Sequence, residues 1–559
     1  MILSSRCLNK IEGIELFIYK NQKGAFMEFI FLVSAIVIIL CIASSGISNK
    51  YGVPSLLIFI FLGMLFGSDG IFKIHFDNYV FAERICSFAL IFIMFYGGFV
   101  TNWKIARPII GKAVCLSTLG VILTAALTGL FCYYVLGFDL FESFLLGAVI
   151  SSTDAASVFS ILRSKKLNLK YGTASLLEVE SGSNDPASYM LTMIAIIMIG
   201  GESLGKLGIM AFNQIVLGIF SGVAIFLFAK LMLKRASFMK DGLDAIFVFA
   251  IAVAAYAFPQ IIGGNGYLSA YLVGLLLGNS KIKNKTVLIH FFDGITGLSQ
   301  IAIFFLLGLL AFPSQIPAIF LSAFCIAIFL TFIARPIAIF AILGPAGCNI
   351  RQSLLVSWAG LRGAASIVFA IMAVSSGVDT NNDVFHIVFC IALLSVAFQG
   401  TLLPWVSEKL DMVDNQDNVL KTFNDYQEDT EMQLIKTYIP ESHPWIGKSI
   451  SEIKLMIDIL VVMIKRGDET IIPKGDTIIF AGDFLILSGE TYYDDGNVML
   501  SEIKIEEGHP WLNKTLRELE LPDETLVMII KHADGATIIP KGKNRIKEGD
   551  ILVLSGYES

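Results

Sequence analysis

Charge is scarce in this sequence. Asp, Glu, Lys and Arg together make up 16% of its 559 residues, against about 25% in ordinary soluble domains. That deficit excludes a solvated surface over most of the chain. Cysteine is sparse and unpaired: Cys7, Cys41, Cys86, Cys115, Cys132, Cys325, Cys348 and Cys390 stand singly, with no CxxC and none in the polar C-terminal part. A disulfide framework or a zinc site is therefore not expected. No G-x-G-x-x-G follows a strand-like run, so a dinucleotide-binding domain is not supported. No basic patch points to nucleic acid. No Thr-Val-Gly-Tyr-Gly filter suggests a potassium channel. The net charge of -6 is modest and says little about partners.

What fills the chain instead is apolar. Hydrophobic residues are 55% of the total and the mean hydropathy is +0.73. Apolar stretches of about 20 residues recur, the length that spans a bilayer as a helix. The fold class expected is a polytopic α-helical membrane protein. Candidate helices lie at Phe29–Ile47, Val53–Gly67, Phe81–Val100, Ile110–Leu136, Phe141–Leu162, Ala174–Gly200, Ile209–Leu233, Leu243–Ile262, Tyr267–Gly278, Leu298–Phe312, Ala318–Leu343, Ser353–Val374 and Val384–Val406, which is about 13 spans. Tyr267–Gly278 is too short to span alone, so it is tilted, extended or re-entrant.

Loop charges alternate in sign of bias. Lys50, Lys104, Arg107, Lys112, Arg163, Lys165, Lys166, Lys170, Lys234, Arg235, Lys240, Lys281, Lys283, Lys285 and Arg351 fall in one set of loops. The other set holds Lys73 and Lys206, with Arg84 at the margin. The basic set is expected to be cytoplasmic, which places the C-terminal tail in the cytoplasm of a cell inner (plasma) membrane protein. Residues 1–26 carry Arg6, Lys10, Lys20 and Lys23, the wrong sign for an exterior segment, and lack the core of a signal peptide. They are read as a non-native extension ahead of a start at Met27, or as an irregular natural one. Composition changes near Glu408. The expected organisation is a membrane domain over 27–408, an acidic linker over 409–431, and soluble α/β or β-rich modules over 432–490 and 500–559.

Ionisable groups inside apolar spans are costly and mark function. The fifth span contains Ser151-Ser152-Thr153-Asp154-Ala155-Ala156-Ser157. The sixth contains Glu178 and then Glu180-Ser181-Gly182-Ser183-Asn184-Asp185-Pro186. The first run could support a helix break, with freed carbonyls available to a cation. In the second, Ser181 and Asp185 share a helical face with Asn184 beside them, and Pro186 removes a backbone donor. A monovalent cation is hard and prefers oxygen ligands, which Asp154, Asp185, Ser181, Thr153 and local carbonyls supply. A buried carboxylate that holds either a proton or a metal ion, but not both, is sufficient for exchange under alternating access. The Ser residues could serve equally as helix-packing groups. Glu180 needs a counter-ion, and Arg335 and Arg362 are both candidates; Arg335 could instead snorkel to an interface. Gly360 and Gly363 indicate a second interrupted helix, mate of the fifth span in an inverted repeat, or close helix packing. His386 reads as a packed histidine.

The tail is a tandem repeat. His443-Pro444-Trp445, Leu460-Val461-Val462-Met463-Ile464, Ile471-Ile472-Pro473-Lys474-Gly475 and Gly482-Asp483 recur as His509-Pro510-Trp511, Leu526-Val527-Met528-Ile529-Ile530, Ile538-Ile539-Pro540-Lys541-Gly542 and Gly549-Asp550. The offset is 66 residues at Leu460/Leu526 and 67 at Ile471/Ile538. Two copies of one small module, regulatory or dimer-forming rather than catalytic, are expected.

Thr153-Asp154-Ala155-Ala156, Glu180-Ser181-Gly182-Ser183-Asn184-Asp185-Pro186 and Gly360-Leu361-Arg362-Gly363-Ala364-Ala365 resemble the monovalent cation:proton antiporters of the NhaP type. The resemblance covers the whole membrane part. It implies 13 helices with inverted repeats, discontinuous fifth and twelfth spans crossing beside the site, and a homodimer. It implies Asp185 as the ion- and proton-binding carboxylate, with Asn184 orienting the site. Thr153, Asp154 and Ser181 would line it, and Glu180 would pair with an arginine. The monovalent cation would lie at Asp185 and Asp154. The Asn-Asp pair resembles the electroneutral branch. The tail copies resemble the TrkA carboxy-terminal domain, and the combination is similar to the potassium/proton antiporters called cell volume regulation protein A, which often carry one such domain and a different further module. The function implied is potassium (or sodium)/proton exchange, with a tail-gated cation channel as the reading of another class. No enzymatic activity and no cofactor are implied. The partners implied are membrane lipid, a second copy of the chain, and a nucleotide such as cyclic di-AMP on the tail.

Overall fold

The structure, a computed structural model, describes residues 28, 31–44, 54–101, 103–154, 157–158, 161–162, 165, 167, 169–201, 204–235, 243–280, 282, 285–414, 432–441, 443–453, 460–467, 469–490, 500–519, 521, 526–532, 537–538, 540 and 542–555. The N-terminal extension at 1–26, the Ala155-Ala156 pair, Lys50, Arg163, Lys166, Lys240, Lys281, Lys283 and the linker from 415 to 431 lie outside the described residues. The chain divides into two compact units, Met1–Val419 and Leu420–Ser559.

The first unit is helical: α1 (Phe31–Ser44), α2 (Ser55–Phe66), α3 (Tyr79–Val100), α4 (Ile110–Tyr134), α5 (Leu140–Val149), α6 (Thr173–Ile199), α7 (Leu204–Arg235), α8 (Leu243–Ile261), α9 (Gly266–Gly278), α10 (Lys285–Leu310), α11 (Pro313–Leu343), α12 (Ile350–Trp358), α13 (Ala364–Ser375) and α14 (Val384–Lys409). Among the described residues, 7 helices are long and apolar enough to cross a membrane. Helix α6 has 27 residues, but its polar run from Glu178 to Pro186 dilutes its hydropathy.

The sequence places the tenth span at Leu298–Phe312, whereas α10 starts at Lys285. His290 and Asp293 lower the hydropathy of its first half, so a hydropathy window misses it. Asp293 is exposed and accepts a hydrogen bond from the Tyr96 hydroxyl at 3.1 Å. Helices α4, α11 and α14 each contain a π-helical segment, at Leu116–Gly120, Leu330–Ala334 and Ser395–Gly400.

Two regions of helix are interrupted. Beyond α5 the chain is non-helical through Ser152, Thr153 and Asp154 and turns helical again at 157–158. The Ser151 hydroxyl donates to the Ala148 carbonyl at 2.6 Å, the local side-chain bond by which serine competes with helical pairing. The second interruption separates α12 from α13, between Trp358 and Ala364. The two meet: the Asp154 N–H donates to the Leu361 carbonyl at 2.9 Å. Only glycine allows this approach, because a Cβ on Gly363 would collide with the Asp154 carboxylate, and one on Gly360 would lie 2.7 Å from Arg335 Nε. One apolar core gathers Phe92, Phe95, Phe99 and Phe292. A second, with Val158, Ile161, Leu176, Leu355 and Leu361, packs around the interruptions.

The tail modules, expected as α/β or β-rich, are antiparallel β with one 3-10 turn each among the described residues. The first sheet has the order β1 (Met432–Tyr438), β4 (Phe484–Glu490), β2 (Leu460–Arg466), β3 (Glu469–Ile471). The second repeats it with β5 (Leu500–Lys504), β8 (Ile551–Ser555), β6 (Leu526–Lys531), β7 (Thr537–Ile538). The apolar runs are 5–7 residues long, a strand length rather than a helix length. Register shifts fall at Val461/Met463 and again at Val527/Ile529, and the 3-10 turns carry matching capping boxes, Ser449/Glu452 and Thr515/Glu518.

The Asp of each Gly-Asp turn is buried. Asp483 receives a forked pair of bonds from Arg466 at 2.8 and 2.9 Å and one from the Phe480 N–H at 2.9 Å. Burial pushes the Asp483 carboxyl up, but the Arg466 guanidinium and the Phe480 N–H outweigh it and hold the group below the usual carboxylate range. A carboxyl depressed in the folded state stabilises that state above its ordinary value of about 4. The contribution is lost as pH falls through the folded value. Asp483→Asn should therefore lower the opening free energy of the first module by about 1–3 kcal/mol at pH 7, measured by amide hydrogen exchange of β2 and β4 in the full chain. The difference from the native chain should begin to shrink as pH falls below about 4 and vanish only below the depressed folded value, where native Asp483 is itself protonated.

Candidate cation site

Helix α6 carries Glu180, Ser181, Asn184 and Asp185 past the α5 interruption, with Pro186 inside the helix. The four polar side chains are buried. The Ser181 hydroxyl donates to the Thr153 carbonyl at 2.7 Å. Asn184 Nδ2 donates to Thr153 Oγ1 at 2.5 Å, and the Thr153 N–H reaches Asn184 Oδ1 at 3.5 Å. The amide thus grips Thr153 from both sides. The Ser152 hydroxyl donates to Asp185 Oδ1. Among the described residues this hydroxyl is the one hydrogen-bond partner of the Asp185 carboxylate, and it is neutral.

Asp154 belongs to the same strip of chain but is engaged differently. Its carboxylate accepts from the Ser157 N–H at 3.3 Å and from the Ser157 hydroxyl at 2.5 Å. That is the geometry of a cap where helix resumes. Asp154 is half-buried and close enough for its charge to act on Asp185.

The arginines divide their work. Arg335 Nη2 meets Glu180 Oε1 at 2.6 Å, with the two side chains 2% and 1% exposed. Arg362 Nη1 donates to the Ser152 carbonyl at 2.7 Å, and the Ser366 hydroxyl reaches the same oxygen at 3.4 Å. Glu180 is therefore neutralised by a fixed cation, while Asp185, five residues along the same helix, is not. Arg362 steadies the carbonyl of the residue whose hydroxyl holds Asp185. The Arg362 backbone N–H in turn donates to the Ser395 hydroxyl at 3.1 Å, and Ser395 bonds Gln399 at 2.6 Å.

The sequence singled out Asp185, Asp154, Asn184, Thr153 and Ser181. The structure brings Asp185, Asn184, Thr153 and Ser181 together, with the Asp154 carboxylate turned toward Ser157. Ser152 stands in the quoted polar run but was not singled out; its position next to Thr153 was the available signal. Ser366, Ser395 and Gln399 gave no signal, because only the crossing of the interrupted segments brings them near. His386 is packed: Nδ1 lies 2.5 Å from Asp383, and Nε2 accepts from the Phe312 N–H at 3.0 Å.

Chemically, the site offers two carboxylates, hydroxyls and carbonyls in a buried, water-poor setting. It suits a hard monovalent cation and a proton in competition for one carboxylate.

Comparison with known proteins agrees on the kind of molecule. The transmembrane sodium/hydrogen exchanger family matches residues 35–409, and the TrkA-C domain family matches residues 437–491 and 500–559. The chain is 37% identical over 388 residues to the K(+)/H(+) antiporter NhaP of Alkalimonas amylolytica, covering 68% of this chain and 67% of that one. It is 32% identical over 455 residues to the K(+)/H(+) antiporter NhaP2 of Shewanella baltica, covering 80% and 78%. In fold it is similar to the sodium proton antiporter MjNhaP1 of Methanocaldococcus jannaschii at pH 8, with a TM-score of 0.59 at 21% identity over 67% of this chain and 97% of that one.

The buried ion pair yields a test. Glu180→Gln strands the Arg335 charge in the apolar interior and should lower stability by about 3–5 kcal/mol, seen as earlier thermal unfolding of the detergent-solubilised protein. Glu180→Gln combined with Arg335→Met should recover at least half of that loss. Equal stability of the single variant and the native chain would show that Arg335 finds its counter-ion elsewhere.

Proposed function

Because this chain belongs to the transmembrane sodium/hydrogen exchanger family, we propose that it exchanges potassium for protons by competition at Asp185. Cation/proton exchange is the activity of this multi-pass membrane protein. The single observation that carries the reading is the contrast within α6. Glu180 is held by Arg335 at 2.6 Å, whereas Asp185 has a neutral serine hydroxyl as its partner. A carboxylate with no fixed cation beside it, buried in a water-poor site, must take its neutralising charge from a mobile one. Two mobile charges fit, a proton and a small hard cation, and each excludes the other.

Asp185 binds the cation and the proton in turn, Thr153 and Ser181 supply further oxygens, Asn184 orients Thr153, and Asp154 adds charge at the edge of the site. Glu180 and Arg335 form a structural pair. Arg362 holds the Ser152 carbonyl. Potassium is preferred over sodium on the strength of the two relatives named K(+)/H(+) antiporters, at 37% and 32% identity; the sodium antiporter is a likeness of fold alone. The neutral Asn184 beside Asp185 favours one cation per proton. The membrane part is read as 13 spans, with the α5 and α12–α13 interruptions as inverted-repeat mates. The chain works as a homodimer in the plasma membrane, and its TrkA-C modules are cytoplasmic and adjust the exchange rate on binding a small ligand such as a nucleotide.

Everted membrane vesicles holding a proton gradient, reported by a pH-sensitive dye, test this directly. Adding potassium salt should release protons, sodium salt should release fewer, and Asp185→Asn should reduce the response at least 100-fold, about 2.7 kcal/mol or more. Proton release that persists in Asp185→Asn would overturn the assignment of Asp185. Cation flux without proton movement would replace exchange by conduction.

A further inference from the structure

A second site lies on the opposite face of the α12–α13 interruption. A cavity of about 300 Å³ is bordered by α11, the interruption and α14. Ala327 and Thr331 form one wall, Leu394 and Leu402 the other, and Trp358 and Arg362 the floor. Both π-helical segments that border this region, Leu330–Ala334 and Ser395–Gly400, contribute lining residues. Extra-residue turns of this kind widen a helix and recur at functional sites.

Apart from Thr331, the lining is apolar except at its inner end. There the Arg362 side chain, 2% exposed, faces the cavity. Nη1 is taken by the Ser152 carbonyl, and among the described residues Nε and Nη2 have no hydrogen-bond partner. Ser395, Gln399 and Trp358 do not compete for them. Ser395 and Gln399 bond each other, the Trp358 indole N–H donates to the Gln399 carbonyl at 3.1 Å, and Gln399 Nε2 returns to the Trp358 carbonyl at 3.3 Å. A buried guanidinium with two idle nitrogens calls for a planar anion that can accept both. At the mouth, Phe332 and Phe398 are 63% and 61% exposed, so in this membrane protein the cavity opens toward lipid rather than toward water.

We propose that this cavity binds an amphiphilic anion from the bilayer: a single alkyl chain with a carboxylate head, the head on Arg362 Nε and Nη2 and the chain running out past Phe332. The volume selects the single chain. Known ligand pockets run from about 300 to 1,000 Å³, and this one stands at the small end, too small for the body of a two-chain lipid. The apolar walls select an alkyl tail, and the fork of idle nitrogens selects carboxylate over alcohol. The occupant would sit against the arginine that steadies Ser152, on the far side from Asp185.

The test reads Trp358 rather than exchange, so its failure leaves the antiport reading intact. The full chain is reconstituted in neutral-lipid vesicles, and quenching by a brominated sixteen-carbon acid is measured as the difference between the native chain and Trp358→Phe. Saturable quenching by the acid, at least fivefold tighter than by the brominated alcohol of equal length, supports the site. Ala327→Phe, which fills one wall, should weaken the acid at least tenfold. Because the acid–alcohol comparison uses the native chain, it stands even if Ala327→Phe does not fold. Equal, unsaturable quenching by acid and alcohol would show Trp358 merely touching bulk lipid and overturn the proposal. Saturable quenching by a brominated anionic phospholipid but not by the free acid would also overturn it, assigning the guanidinium to a headgroup instead.

Discussion

A helix can be opened inside a membrane only if the backbone groups it releases find partners within the protein, since lipid offers none. The bond from the Asp154 N–H to the Leu361 carbonyl meets that condition for two interruptions at once. Each opened segment supplies what the other lacks. Arg362 then adds a charged donor to the Ser152 carbonyl, and Ser181 adds a neutral one to Thr153. This crossing sets Ser152, Thr153 and Arg362 against the side chains that α6 carries. Gly363 follows from it, because a Cβ there would push the two segments apart, while Gly360 leaves room for the Arg335 side chain.

That constraint also explains what could be read from the sequence. A polar run in an apolar span has few reasons to exist, so Ser151–Ser157 and Glu180–Asp185 announce themselves without a structure. The spacing of Ser181, Asn184 and Asp185 follows from helical periodicity. What spacing does not carry is the identity of a partner from a distant span. Arg335 and Arg362 are both buried and both near the site, and nothing in their local sequence distinguishes them. Arg335 sits where a π-helical segment gives way to α-helix and reaches Glu180. Arg362 sits in the interruption itself and reaches a carbonyl. The first turns of α10 are hard to read for a related reason, since His290 and Asp293 interrupt their apolar run.

In the tail, repetition told more than composition. The 66–67-residue offset implies two copies, and the copies agree in strand order, bulge position and capping box. They differ in what supports the buried aspartate. Arg466 forks onto both oxygens of Asp483. In the second copy His532 reaches a single oxygen of Asp550 at 2.8 Å, and the Lys547 N–H takes the other at 2.8 Å. The buried aspartate before the last strand is kept in both, because its bond to the preceding turn fixes where that strand begins. The side chain that covers it is free to vary as long as it donates.

The division between Glu180 and Asp185 bears on why exchange is coupled rather than leaky. If both carboxylates were paired with arginines, the site would be neutral when empty and could open to either side without a passenger. If neither were paired, two uncompensated charges would have to be desolvated together, at several kcal/mol each. With Glu180 neutralised and Asp185 not, the α6 carboxylates of the empty site leave one unmet charge. Moving it through the apolar interior while empty costs that desolvation, and a proton or a cation removes the cost equally well. On the reading proposed for Asp185, the barrier that forbids the empty transition is set by Asp185, and the role of Arg335 is to ensure that Glu180 adds nothing to it.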